Sequence, residues 1–227
     1  MKVSGAAPKD QRILAAAEKI FSMYGYEKAT LDAIIKLADV GKGTIYKYFG
    51  NKEQLFYHLV VGRNEAFVKR LRQAVDAQEG LKDKLCAYFE EFISFYYENN
   101  SLWQIICFEM LGGSNACRIQ KVDGDYQVLP RYSQLEIKAE AKEQILRYYS
   151  ILDAEYVILE KILLDGINAG ILKAPNDAEA TSKYLFFGVA MSIFNPTQNL
   201  IEKFNAKEIS LIIVDRFLHG ECVPETI

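Results

Sequence analysis

Apolar side chains recur every three to four residues along almost the whole chain, the spacing of helices that bury one face. Ile13, Leu14, Ala17, Ile20, Phe21 and Tyr24 form the first stripe, and Gly25 follows as a natural stop. Thr30 stands just before Leu31, Ile34, Ile35 and Ala38, which reads as an N-cap and a short helix, with Asp32 near its positive end. Asp39-Val40-Gly41 is a tight break, and a second short helix is predicted from about residue 42 to 49. Gly50-Asn51 breaks the chain again, and Asn51 with Gln54 approximates a capping box that opens a helix towards residue 75.

The cap spacing repeats at Ser101 and Gln104, at Asn176 and Glu179, and at Asn205 and Glu208, each pair ahead of an apolar run. Leu81, Leu85, Tyr88, Phe89, Phe92, Ile93 and Tyr96 mark an amphipathic helix ending near Asn99-Asn100. Residues 112–130, with Gly112, Gly113, Gly124 and Pro130, predict a long loop. Helix then resumes near residue 131 and runs to about 170. Forty helical residues would span about 60 Å, so a break is expected near Asp153. No period-two strand pattern persists, and no internal repeat or low-complexity tract is visible. The expected fold is all-α.

Composition narrows the class of protein. Of 227 residues, 50% are hydrophobic and 25% charged, ordinary globular usage that argues against a disordered chain. No apolar run reaches the 18 or so residues of a membrane span. The first nine residues have no apolar segment of the secretory type, so a cytoplasmic protein is expected. Cys86, Cys107, Cys117 and Cys222 form no C-x-x-C pair, and His58 and His219 are the only imidazoles, so neither a metal nor a cofactor is expected. The net charge of −3 is unevenly spread: residues 1–55 hold nine Lys or Arg against six Asp or Glu, and the remainder eighteen against twenty-four. A basic head on an acidic body puts phosphate affinity at one end.

Two short helices with a three-residue break, as at residues 30–52, fit a helix-turn-helix. In that motif the first residues of the second helix touch base edges in the major groove. Here they are Lys42, Gly43 and Thr44. Lysine donates to guanine O6 and N7, a threonine methyl packs on thymine, and glycine allows close backbone approach. Tyr46, Lys47, Tyr48 and Lys52 supply hydroxyl and ammonium donors for phosphate oxygens. Thr30 marks a helix N-terminus, where backbone N–H groups also hold phosphate. Ile34, Ala38, Val40, Ile45 and Phe49 are the candidate core that fixes the two helices.

At these residues the chain resembles the TetR family of bacterial transcriptional regulators. The match runs through Ile13-Leu14-x-Ala16-Ala17, Phe21-x-x-x-Gly25 and Thr30-x-x-x-Ile34, then Ala38-x-Val40-Gly41-Lys42-Gly43-Thr44-Ile45-Tyr46-x-Tyr48-Phe49 and Lys52-Glu53-x-Leu55. It covers about the first quarter of the chain. The resemblance implies an N-terminal three-helix DNA-binding domain at residues 1–55 and a larger helical domain at 56–227 for ligand binding and dimerisation. It also implies a homodimer that represses transcription until a small ligand releases it from a palindromic operator. Carried over by position, Lys42, Gly43, Thr44 and Tyr46 are base or near-base contacts, and Thr30, Tyr48 and Lys52 are phosphate contacts. Asp39 departs from the glycine common in the family's turn, although aspartate tolerates the left-handed conformation better than most residues.

The last two helical segments are apolar on more than one face. Tyr184, Leu185, Phe186, Phe187, Val189, Ala190, Met191, Ile193 and Phe194 leave little solvent side, and Ile209, Ile212, Ile213 and Phe217 form one stripe beside Leu211, Val214 and Leu218. Burial on both sides points to a two-fold partner, with Tyr184, Phe186, Met191, Ile209, Ile213 and Phe217 as interface candidates. Phe92, Tyr96, Trp103, Phe108, Tyr148 and Phe187, with Glu109 as a polar group among them, are candidates for lining an effector pocket suited to a hydrophobic ligand. At any single one of these aromatics ordinary core packing is favoured over ligand contact. Two other functions compete: an all-helical enzyme with a pocket in the body, and a dimerisation module that binds protein. The first lacks a base, nucleophile or metal cluster. The lysines on the recognition face weigh against the second.

Overall fold

The computed structural model describes residues 7–111, 117–123, 125–132, 136–173, 177–195 and 204–221. They are overwhelmingly helical and fall into two compact units. One comprises the described residues up to Asn64 together with Ser101–Ser150; the other comprises Glu65–Asn100 and the described residues from Ile151 onward.

The first unit opens with α1 (Lys9–Lys28), α2 (Leu31–Ala38), α3 (Lys42–Phe49) and the start of α4 (Lys52–Asp76). The packed face of α1 is Ile13, Ala16, Ala17, Ile20 and Phe21. Gly25, at φ 73°, breaks the helix where the sequence predicts a stop, though one further turn follows. Tyr24 lies on the predicted stripe but is exposed; the packed face ends at Phe21. Phe21 meets Phe56 edge-on at 4.9 Å, and Arg63 of α4 pairs with Glu18 of α1 at 2.6 Å. The capping reading at Asn51 holds: its Oδ1 accepts the Gln54 N–H at 2.8 Å. Ser101 is not a cap. It lies inside α6 (Asn100–Gln104), which begins directly after Asn99, and α6 runs on into a π-helical turn at Ile105–Met110.

The predicted loop at 112–130 is corrected over its described part. Cys117–Val122 and Asp125–Pro130 form an antiparallel hairpin, β1 and β2, in register from Cys117 opposite Pro130 to Val122 opposite Asp125. The signal for it was Asp123-Gly124, a dipeptide that suits two-residue hairpin turns because both positions need positive φ. Asp123 has φ 53°. The alternation flanking it spans too few residues to stand out by period alone. Tyr126 of β2 meets Tyr149 edge-on at 4.9 Å.

Tyr149 belongs to α7 (Ala139–Asn168), which starts later than predicted and carries no break at Asp153. Its 30 residues extend for about 45 Å. Neither proline nor glycine occurs between 139 and 165, and buried residues, including Leu152, Tyr156, Leu159 and Ile162, continue through the place where the break was expected.

In the second unit, α5 (Leu81–Glu98) buries every residue of its predicted stripe. Phe92 stacks on Tyr96 at 4.1 Å and meets Phe186 of α8 (Ala178–Phe194) at 4.9 Å. Inside this aromatic core Glu155 is fully buried, and its carboxylate accepts the Tyr96 hydroxyl at 2.9 Å. The cap of α8 is Asp177, whose Oδ1 accepts the Ala180 N–H at 3.0 Å; the predicted Asn176 lies outside the described residues. α9 (Ala206–Glu221) packs along α5 and buries Ile209 and Val214. Its capping box forms reciprocally, Asn205 N–H to Glu208 at 2.9 Å and Glu208 N–H to Asn205 at 3.0 Å. Asn205→Ala removes one half of that exchange and is expected to cost about 1 kcal/mol of stability. Urea denaturation measures it, and an unchanged midpoint would contradict the box.

Candidate nucleic-acid interface

The local rules that build the head are visible residue by residue. Thr30 caps α2 by accepting the Ala33 N–H at 3.2 Å. Asp39 ends α2 in the left-handed region, φ 55° and ψ 53°, as its place in the turn requires. Its N–H returns to the Ile35 carbonyl. Gly50 ends α3 at φ 73°, where an added Cβ would also meet Gln54 Oε1 at 2.8 Å. Between these ends Ile34, Ala38, Ile45 and Phe49 are buried and Val40 is half-buried, so the predicted core forms. Phe49 also meets the His58 ring of α4 at 5.8 Å, tying the end of α3 down.

Anchoring α3 through Ile45 and Phe49 turns the rest of it outward. Lys42, Gly43, Tyr46, Lys47 and Tyr48 are exposed, the tyrosines by 47% and 50%, and Thr44 is half-buried. Tyr48 tilts against the Phe49 ring at 6.1 Å, but about half of each tyrosine is open, which leaves both hydroxyl-bearing rings accessible to a partner. A Cβ built on Gly43 meets nothing within 4 Å, so the position is open on its outer side. Lys42 pairs with Asp32 at 3.5 Å, both side chains well exposed. A pair of that kind contributes about 0–1 kcal/mol, so exchanging Asp32 for a phosphate or a base edge costs Lys42 little. Thr30 is exposed at the N-terminus of α2.

Lys52 is placed differently from the others. Its ammonium points into the head, donating to the carbonyls of Tyr26 at 3.0 Å, Ala29 at 3.3 Å and Glu27 at 3.4 Å. It also lies 4.4 Å from the centre of the Tyr26 ring. The Tyr26 phenol is pushed up to about 12 by burial, with Glu53 and Glu27 adding to the shift. Arg12, which sequence reasoning passed over, sends Nη2 to the carbonyls of Ala38 at 2.6 Å and Asp39 at 2.5 Å.

The effector candidates are divided between the two units. Phe92, Tyr96 and Phe187 belong to the second unit; Trp103, Phe108 and Tyr148 belong to the first. Phe92, Tyr96, Trp103 and Tyr148 are fully buried, Phe187 is half-buried and Phe108 is exposed. Burial drives the Tyr148 phenol well above its ordinary value. The Glu109 side chain lies outside the described residues. Of the interface candidates, Tyr184 is 77% exposed. Met191, Ile213 and Phe217 are half-buried, and Phe186 and Ile209 lie within the second unit's own core.

Residues 13–59 match the family of bacterial regulatory proteins, tetR family. The chain is 24% identical to the fatty acid metabolism regulator protein of Bacillus subtilis strain 168 over 213 residues, 94% of this chain and 95% of that protein. Over 64 residues, 28% of this chain and 31% of the relative, it is 45% identical to the HTH-type transcriptional regulator YhgD of the same organism. Its fold matches the fatty acid degradation regulator FadR from Bacillus halodurans with a TM-score of 0.70 at 21% identity, covering 96% of this chain and 98% of that one. FadR from Bacillus subtilis in complex with stearoyl-CoA matches with a TM-score of 0.68 at 23% identity, over 92% and 98% of the two chains. The outward face of α3 and these likenesses agree on a DNA-binding helix-turn-helix protein. The head of the chain, residues 13–59, thus carries the tetR-family DNA-binding segment, and the likeness to regulators of that family extends over nearly the whole chain at the level of fold.

Gly43→Ala separates reading from folding. The added methyl has space and replaces the poorest ordinary helix former, so stability should rise by up to about 1 kcal/mol. The expected base contact at Gly43 leaves no room for that methyl, so DNA affinity is expected to fall. Thermal denaturation and fluorescence anisotropy on one preparation check both, and unchanged affinity would remove Gly43 from the interface.

Proposed function

We propose that the protein is a dimeric repressor that binds a palindromic operator and is released from it by a small hydrophobic ligand. The observation that carries the reading is the division of α3 into a buried anchor and an outward row of Lys42, Gly43, Thr44, Tyr46 and Lys47. In this reading residues 1–55 are the DNA-binding domain and 56–227 the effector-binding and dimerisation domain. Lys42, Gly43, Thr44 and Tyr46 lie at or near base edges, and Thr30, Lys47 and Tyr48 hold phosphates. The protein acts in the cytoplasm, where its operator is; no described helix is long and apolar enough to cross a membrane.

Dimerisation is supported by apolar surface left open on the last two helices. Tyr184 and Gly188 of α8 and Leu211 and Ile212 of α9 are exposed, with Met191 half-buried beside them. Covering that surface with a second copy gives two reading heads and a symmetric site, with half-sites one DNA turn, about 34–36 Å, or more apart. For the ligand, the similarity to a fatty acid metabolism regulator and the fold shared with a stearoyl-CoA-bound FadR support a long-chain acyl thioester. Such a ligand releases DNA only by binding the DNA-free conformation better, and DNA must then weaken the ligand by the same factor.

Lys42→Ala combined with Thr44→Ala is expected to abolish operator-specific binding while the protein stays folded. Full binding by the folded double variant would overturn the site. Stearoyl-CoA at micromolar concentration should release wild-type protein from its operator, read by anisotropy; release by free coenzyme A alone would shift the ligand class away from the acyl chain. Tyr184→Glu should convert the sedimenting species to monomer, and a profile identical to wild type would place the interface elsewhere.

A further inference from the structure

Two helices of the head end in carbonyls that their own hydrogen-bond ladders leave open. Each end is met by a cation from another helix. The carbonyls of Tyr26, Glu27 and Ala29, at the end of α1, converge on the ammonium of Lys52 from α4. The carbonyls of Ala38 and Asp39, at the end of α2, receive Nη2 of Arg12 from α1. Arg12 is largely buried, with 11% of its side chain exposed, and the Asp39 carboxylate adds a charge at 3.8 Å. The two clamps bracket the reading element. The first fixes the residues immediately before the Thr30 cap. The second fixes the left-handed turn from which α3 departs at Lys42.

We propose that Arg12 and Lys52 are positioning residues for DNA reading and not phosphate contacts. Their charge is used on main-chain carbonyls, where a cation also suits the negative end of a helix. What they set is the angle of α2 and α3. The inference deepens the DNA-reading assignment and rests on it.

The two roles differ in their response to salt. Removing a phosphate contact makes the logarithmic salt slope shallower by about one and weakens all DNA alike. Removing a positioning residue weakens operator binding by a constant factor at every salt concentration. Charge-conserving variants sharpen the contrast. A phosphate accepts arginine in place of lysine, but carbonyls converging on a point ammonium do not fit a planar fork, nor does an ammonium reproduce the guanidinium of Arg12.

The experiment measures operator and random-duplex affinity against potassium chloride for Lys52→Arg, Arg12→Lys, Lys52→Met and Lys47→Met. Lys52→Arg and Arg12→Lys should lose about tenfold in operator affinity, the scale of a hydrogen bond to a charged group, with the slope and random-duplex affinity unchanged. Lys52→Met should keep the wild-type slope, and Lys47→Met should lose about one unit of it. Operator binding by Lys52→Arg equal to wild type, or a slope for Lys52→Met as shallow as for Lys47→Met, would overturn the proposal. Amide hydrogen exchange of the free protein gives a readout without DNA. Exchange across residues 26–44 should quicken in both charge-conserving variants, and unchanged exchange would refute the clamps. Should wild-type protein fail to select any DNA, the reading assignment falls, and hydrogen exchange still decides whether the clamps exist.

Discussion

A recognition helix of eight residues cannot sustain itself. Isolated helices shorter than about 12–15 residues are marginal in water, so α3 exists only because Ile45 and Phe49 are buried against the core formed with Ile34 and Ala38. Each such burial is worth about 1.5–3 kcal/mol, well above any one surface contact on the helix. The same two anchors, four residues apart, decide which side chains face out. Reading surface and stability are therefore one geometric fact: the period that buries 45 and 49 presents 42, 43, 46 and 47.

Most of the head was legible because its determinants are local. Thr30 as a cap and Asn51 before Gln54 follow from residue type and spacing, and the structure forms both. The left-handed turn at Asp39 followed from the two-helix pattern around it. The failures have physical reasons as well. Ser101 has the spacing of a cap, yet α5 and α6 abut at Asn99 and leave no separate start. The hairpin after residue 116 was announced by two residues, Asp123-Gly124, which glycines nearby made look like loop. The expected break near Asp153 rested on length alone, and neither glycine nor proline lies near that position to interrupt the helix.

Side-chain direction was the part that spacing could not supply. Lys52 follows the same lysine-rich pattern as Lys42 and Lys47, but its four-carbon stem folds back onto three carbonyls. Nothing in residue type distinguishes an outward lysine from one that caps a helix. The aromatics of the body pose the matching problem. Phe92 and Tyr96 pack inside the second unit with Glu155, whereas Trp103 and Tyr148 belong to the first. A ring that lines a ligand cavity and a ring that fills a core obey the same burial rule, so the effector site was not legible from the pattern that revealed the reading head.

Sequence-selective DNA reading by a dimer is the central proposal. Its most direct test is selection from a random duplex pool by the purified wild-type protein, followed by sequencing of what it retains. The account predicts enrichment of an inverted repeat whose half-sites lie at least one DNA turn apart. Retention of DNA without any enriched sequence would contradict it.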